Sequence, residues 1–257
     1  MTVNSKREFD ILRECGRRLA EISHKLAAAV KPGVSTADLD KLAEALILSL
    51  GGSPVFKGYR SSKSERPFPG SICASVNDEV VHAIPRSNKN LKEGDIISID
   101  FGMRYPAEGG LITDMALTVP VGAIAAEAGK LLEVTRESLG IGLAVLKSGM
   151  QLGDLGFAIQ KHIEDNGFKV VRELMGHGVG RQLHERPNIP NYGRPGQGEI
   201  IKEGAVLAVE PMAAAGSDKV RLDKDGWTWR TVDGSLAAHF EHTVVVVKTE
   251  AEVLTAL

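Results

Sequence analysis

The chain has 257 residues, 43% of them hydrophobic and 25% charged, with 31 basic side chains against 33 acidic ones and a formal charge of −2. That length sits between one domain and two and buries a full core without staples, and the balanced charge gives no global field for nucleic acid or a membrane surface, so neither is an expected partner. Two cysteines, Cys15 and Cys73, exclude a thiolate zinc finger, an iron–sulfur site and a disulfide framework, and fit a reducing, cytoplasmic setting. Thr2 to Arg7 is polar, so no secretory signal is expected. The apolar runs are far shorter than the ~20 residues of a membrane span.

Leu12, Cys15, Leu19, Ile22, Leu26 and Ala29 recur at three- and four-residue steps, which predicts a helix over 8–30 with one apolar face. Lys31-Pro32-Gly33 stops it. Ser35 is placed to cap a second helix carrying Leu39, Leu42, Ala43, Leu46, Ile47 and Leu50, and Gly51-Gly52 ends that one. The basic stretch 60–66, backed by Pro67 and Pro69, reads as a surface loop. Residues 96–99 read as a strand that ends in Asp100. Helices are expected over 124–147 and 155–163, and strands over 206–209 and 244–247.

The chain repeats itself. Lys31-Pro-Gly-Val-Ser-Thr-Ala-Asp38-Leu39 resembles Lys147-Ser-Gly-Met-Gln-Leu-Gly-Asp154-Leu155, His82-Ala-Ile-Pro85 resembles His184-Glu-Arg-Pro187, and Lys92-Glu-Gly-Asp-Ile-Ile-Ser-Ile-Asp100 matches Lys202-Glu-Gly-Ala-Val-Leu-Ala-Val-Glu210. The offsets are 116 (31 to 147), 102 (82 to 184) and 110 (92 to 202). One such pair is no better than chance; three in one order imply two related halves.

The repeat directs attention to its acids. Along a strand, Ile97, Ile99 and Phe101 share one face while Ser98 and Asp100 share the other, so Asp100 lies among buried residues, and Glu210 repeats the pattern. Asp114 and Glu241 also sit in apolar strand contexts. Each acid alone reads equally as a salt-bridged structural carboxylate. Four without nearby basic residues do not, because converging carboxylates repel and raise one another's pKa values. Two divalent cations would resolve this: four carboxylates and a neutral imidazole carry −4. The imidazoles on offer are His177 and His184, in Gly176-His177-Gly-Val-Gly-Arg-Gln-Leu-His184-Glu-Arg-Pro187, and the repeat-equivalent His82. His184-Glu185 is not the helical H-E-x-x-H zinc motif, since position 188 is Asn and Pro187 breaks a helix. No G-x-S-x-G elbow is present. Cys73 reads as a packing or pocket thiol rather than a nucleophile.

Together these stretches, with Cys73-Ala-Ser-Val-Asn-Asp-Glu-Val-Val-His82, Ala208-Val-Glu210-Pro-Met212 and Phe240-Glu241-His-Thr-Val, closely resemble the type I methionine aminopeptidases from about residue 4 to 250. The resemblance implies an α+β "pita-bread" fold, two pseudo-symmetric halves whose antiparallel central sheet is covered by helices. It implies one catalytic domain over 1–257, with halves at roughly 8–122 and 123–250. It implies two divalent ions (Co²⁺, Mn²⁺, Fe²⁺ or Zn²⁺) held by Asp100, Asp114, His177, Glu210 and Glu241, of which Asp114 and Glu241 bridge. A water or hydroxide shared by the two ions would attack the first peptide bond. His82 would hold the scissile amide, His184 would stabilise the oxyanion, and Glu210 would carry a proton to the leaving amine. Tyr59, Phe68, Cys73 and Trp227 would line the methionine pocket, with Trp229 an equal rival to Trp227. The implied substrates are peptides and nascent chains that begin with methionine and have a small second residue; a monomer is expected. The basic loop 57–66 reads first as solvated, with transient ribosome contact as the alternative.

The sequence departs from the family pattern in places. Ala83 stands where Gly is frequent, His239 replaces a common Gln, Leu183 stands where an aromatic is usual, and the Asp100–Asp114 interval is long. Two other readings share the fold. X-Pro peptidases usually carry an extra N-terminal domain for which 257 residues leave no room, and a non-catalytic relative would have lost ligands that here are all present.

Overall fold

The computed structural model describes residues 1–60 and 66–257. Helices α1 (Lys6–Ala29) and α2 (Thr36–Ser49) open the chain, followed by β1 (Ser53–Pro54), β2 (Cys73–Val76), β3 (Glu79–Val81) and the long hairpin β4 (Ile96–Tyr105) and β5 (Leu111–Pro120). The second half opens with α3 (Ala126–Val145) and α4 (Leu152–Asp165), then β6 (Lys169–Val170), β7 (Gly176–Gly178), β8 (Glu185–Ile189) and β9 (Val206–Val209). It closes with β10 (Met212–Ala214), β11 (Val220–Leu222), β12 (Trp229–Thr231), β13 (Ala237–His239), β14 (Glu241–Val246) and β15 (Ala251–Val253). No helix among the described residues is long and apolar enough to cross a membrane.

Three of the four helices start where a side chain meets a nearby backbone donor; α3, which follows Ala125, has no such cap. Ser5 accepts the Glu8 N–H, which sets α1 two residues earlier than its apolar periodicity alone suggests. Ser35 and Asp38 form a reciprocal capping box on α2. In α4 the Asp154 carboxylate accepts the Gln151 N–H at 3.2 Å, so that helix begins at Leu152, three residues before the expected start. A Gln in the cap position hides this signal from the sequence.

The two halves reuse one local geometry. Gly33 and Gly149 turn the chain at φ +90° and +84°, and their N–H groups donate to Leu91 O (2.8 Å) and Ile201 O (2.9 Å). Leu91 and Ile201 return the bond to Val34 O and Met150 O, both at 2.8 Å. These are the positions at which the sequence repeats.

Nine strands form one antiparallel sheet in the order β1-β4-β5-β14-β9-β7-β8, with β2 beside β4 and β15 beside β14. The halves join where β14 pairs with β5, Glu241 opposite Ala116. Alternation sends Ile97, Ile99, Phe101 and Met115 to one face, under α1 and α2. It sends Leu207, Val209, Val244 and Val246 under α3 and α4. This is the pita-bread fold.

One expectation is corrected. The strand that carries Asp100 does not end there; β4 runs on to Tyr105, because Phe101 to Tyr105 continue the ladder with Met115 to Leu111. The same hairpin accounts for the long Asp100–Asp114 interval. Of the basic loop at 57–66, positions 61–65 lie outside the described residues.

Candidate metal centre

The face of the sheet away from the helices carries the acids, and the register sets them in two rows. In the first, Cys73 of β2 lies opposite Asp100 of β4, Asp100 opposite Ala116 of β5, and Ala116 opposite Glu241 of β14. In the second, Gly102 lies opposite Asp114, and Thr243 of β14 is followed by Ala208 of β9 and His177 of β7. Thr243 ties the row together: its hydroxyl accepts the Asp114 N–H at 2.8 Å and donates to Asp114 O at 2.7 Å. Ala116, Gly102 and Ala208 leave the space between the rows open. A Cβ on Gly102 would lie 3.1 Å from Asp114 Oδ1. Glu210 follows directly on β9.

Single ligand atoms of Asp114, His177 and Glu241 lie within 4.8 Å of one another. Glu210 Oε1 stands 3.5 Å from His177 Nε2, and Glu210 Oε2 stands 3.5 Å from Nε2 of His239. His177 Nδ1 is 2.9 Å from Gly178 O, which makes Nδ1 the protonated nitrogen and turns the Nε2 lone pair toward the carboxylates. A lone pair facing a carboxylate without a proton between them asks for a cation.

The electrostatics ask for the same. Burial, then the charges of their neighbours, hold Asp100, Glu210 and Glu241 well above the usual carboxylate range, and burial pushes Asp114 up to about 7. Glu241 Oε1 is buried with no hydrogen-bond partner. Among the described residues, no lysine or arginine forms an ion pair with any of the four. Burial pushes His177 down to about 3, so the imidazole is neutral, the form that binds metal. These residues fit divalent cations: oxygen and imidazole donors, charge of the right sign, and at least one orphaned ligand atom.

The cavity above the cluster is walled by Phe56, Tyr59, Phe68, Leu183 and Trp227, with Cys73, His82 and His184 at its edge. Phe68 meets Trp227 edge-on at 5.3 Å between ring centres. Thus Tyr59, Phe68, Cys73 and Trp227 all reach the cavity, whereas Trp229 pairs with Val81 and packs in a separate apolar cluster. Burial and the neighbouring Asp100 charge push the Cys73 thiol well up, so it is no nucleophile. His82 and His184 flank a second opening of about 380 Å³ that also reaches His177 and Glu210. His82 sits in the left-handed region at φ +57°, and burial lowers its pKa to about 4. Sequence reasoning missed Phe56, which no periodicity marks as a pocket residue. It noted His239 only as a departure; the structure buries it beside Glu210 with neither ring nitrogen hydrogen-bonded.

A buried carboxylate–imidazole cluster under a cleft, shared by two like halves, defines a metallohydrolase type of site. The chain belongs to metallopeptidase family M24, whose model matches residues 10–248. It is 49% identical to methionine aminopeptidase 1 of Bacillus subtilis over 249 residues, 97% of this chain and 96% of that one. It is 44% identical to the methionine aminopeptidase of Clostridium acetobutylicum, covering 98% of each. The crystal structure of methionine aminopeptidase from Thermotoga maritima superposes with a TM-score of 0.93 at 40% identity over the whole of both chains. The prolidase of Pyrococcus furiosus shares the fold, with a TM-score of 0.78 at 20% identity, and this chain covers 66% of its length.

Proposed function

We propose that the chain is a methionine aminopeptidase that hydrolyses the first peptide bond of peptides and nascent proteins. The observation that carries this reading is the convergence of Asp100, Asp114, His177, Glu210 and Glu241 on one sheet face beneath an apolar cavity. We assign these five as the residues that would hold two divalent cations, with Asp114 and Glu241 at the centre of the set. Cations held there would supply a Lewis acid for the scissile carbonyl and lower the pKa of a water.

The chain's own groups do the rest. The cavity of Phe56, Tyr59, Phe68, Cys73, Leu183 and Trp227 accepts an unbranched, polarisable thioether and orients the first residue. The free α-amino group would bind beside the cation site, which selects a free N-terminus. His82, neutral because it is buried, accepts the scissile N–H. His184 donates to the carbonyl oxygen as negative charge develops there. Glu210, beside His177 at the end of β9, would carry a proton to the leaving amine. A narrow entrance beside His82 and His184 would favour a small second residue. Both halves supply ligands, Asp100 and Asp114 from the first and His177, Glu210 and Glu241 from the second, so the chain acts as one catalytic unit and a monomer suffices. The cytoplasm is the expected place of action, with the loop at 57–66 the region to test for ribosome contact.

The test is release of free methionine from Met-Ala-Ser by protein loaded in turn with Mn²⁺, Fe²⁺, Co²⁺ and Zn²⁺. An Ala-Pro peptide, offered in parallel, should stay intact. Absence of methionine with all four metals would end this reading.

A further inference from the structure

Tyr59 and His184 are 125 residues apart in sequence, yet the Tyr59 hydroxyl is hydrogen-bonded to Nδ1 of His184. The tyrosine is itself held in place. Its N–H donates to Phe56 O and its carbonyl accepts the Phe68 N–H, both at 2.9 Å, while Gly58 N–H donates to Phe68 O at 2.8 Å. The backbone on the histidine side is also fixed, since Glu185 Oε1 accepts the N–H groups of Arg181 (2.7 Å) and Gln182 (2.8 Å). What remains free at His184 is the side chain, and two rings constrain it. Tyr59 meets it edge-on at 5.0 Å and 85°, and His177 at 4.4 Å and 90°.

We propose that Tyr59 is a positioning residue for His184: its phenol O–H donates to Nδ1, which holds the imidazole as the Nε2–H tautomer in a fixed plane and leaves Nε2–H as the one donor available to substrate. The inference rests on the aminopeptidase reading for its kinetic consequence, but not for its structural content. A phenol is protonated at neutral pH, and a neutral imidazole carries one donor and one acceptor nitrogen. A ring nitrogen that accepts a hydrogen bond carries no proton, so acceptance at Nδ1 itself makes the imidazole neutral. A neutral ring that accepts at Nδ1 must carry its proton on Nε2. Oxyanion stabilisation needs a donor, and the wrong tautomer would present a lone pair to the developing charge. Tyr59 also walls the cavity, so the residue that contacts the substrate's first side chain also sets the histidine that contacts its carbonyl.

The experiment has two arms. Zinc-loaded protein labelled with ¹⁵N-histidine is read by long-range ¹H–¹⁵N correlation, with His184 assigned by its loss in His184→Gln. The wild type should show the Nε2–H pattern, and Tyr59→Phe should move it toward a mixture of tautomers. In the kinetic arm, Tyr59→Phe should lower kcat on Met-Ala-Ser about tenfold or more, the usual cost of losing such a partner, while KM changes less than about twofold. An Nδ1–H pattern in the wild type overturns the proposal, as does an unchanged kcat in the variant or a loss confined to KM, which would make Tyr59 a pocket wall only. The wild-type spectrum is decisive by itself, so the proposal stays testable whatever the variant's stability. Failure of the aminopeptidase reading is separate: the wild type would release no methionine, and the tautomer would still be legible.

Discussion

His82 stands with a bulky side chain at φ +57°, where the Cβ of an L-residue crowds the following carbonyl. The conformation is held from outside: Ala74 N–H donates to Ala83 O at 2.9 Å, and Ser75 Oγ accepts the Ala83 N–H at 3.3 Å. Strain kept in place this way marks a side chain needed where it is. His82→Ala and His82→Gly should both lose most peptidase activity. The glycine variant should nevertheless be the more stable by about 1 kcal/mol, because only it relieves the left-handed conformation. Urea unfolding midpoints compare the two directly; an alanine variant at least as stable would show that the position is unstrained. At this scale the sequence was informative where chemistry conflicts with context. Asp100, Asp114, Glu210 and Glu241 are acids in strands that read as buried, and that conflict is visible without coordinates. Phe56 carries no such conflict, because an apolar residue in an apolar place looks the same in a core and in a pocket wall. The Tyr59–His184 bond depends on how two loops from opposite halves meet, which periodicity does not encode.

Glycines separate local propensity from packing at the level of the helix. In α3, Gly129 and Gly140 have nothing within 4 Å of a built Cβ, so Gly129→Ala and Gly140→Ala should each stabilise the protein by roughly 0.5–1 kcal/mol through helix propensity alone. Gly16 in α1 is the opposite case. A Cβ there would lie 2.2 Å from the backbone oxygen of Leu254, so α1 packs against the chain leaving β15 only because that side chain is missing. Gly16→Ala should destabilise despite a better propensity, since the clash is with backbone that cannot rotate away. Thermal melts of the three variants should therefore move in opposite directions, and a stabilised Gly16→Ala would refute this account of the contact. Helix existence was legible because apolar spacing and breakers agree, as in Leu12 to Leu26 followed by Lys31-Pro32-Gly33. Strand length was not. Asp100 interrupts the apolar run that signals a strand, yet β4 continues for five residues because its hairpin partner β5 keeps pairing.

Across the whole molecule, the acids of one half repel those of the other over the β5–β14 seam, and this ties stability to pH and to metal. Asp100, Asp114, Glu210 and Glu241 have folded pKa values raised above their unfolded ones. The folded metal-free chain therefore keeps protons that the unfolded chain has lost, and stability falls as pH rises, by about 1.4 kcal/mol per pH unit for each proton retained. His82, His177, His184, His239 and His242 are lowered, to between about 3 and about 4. They act in the opposite sense, and their contribution is fully present only about one pH unit above the unfolded histidine value of about 6.5. Up to about pH 7.5 the two groups oppose each other. Between about 7.5 and 8.5 the acids dominate, and the two buried thiols, whose pKa values are also raised, act in the same sense. Protein stripped by a chelator should thus show a Tm that declines from about pH 7.5 to 8.5. Zn²⁺ or Mn²⁺ should raise the Tm and remove the decline, since bound cations favour the ionised carboxylates. Asp114→Asn should make the slope of Tm against pH less negative in the stripped protein near about pH 7, where burial places this carboxyl, and should weaken the rescue by metal. Calorimetry at three pH values, with and without metal, decides the matter. A Tm that is flat or rising in the stripped protein over that range would mean that the four carboxylates do not share the uncompensated charge that fits this cleft to a cation.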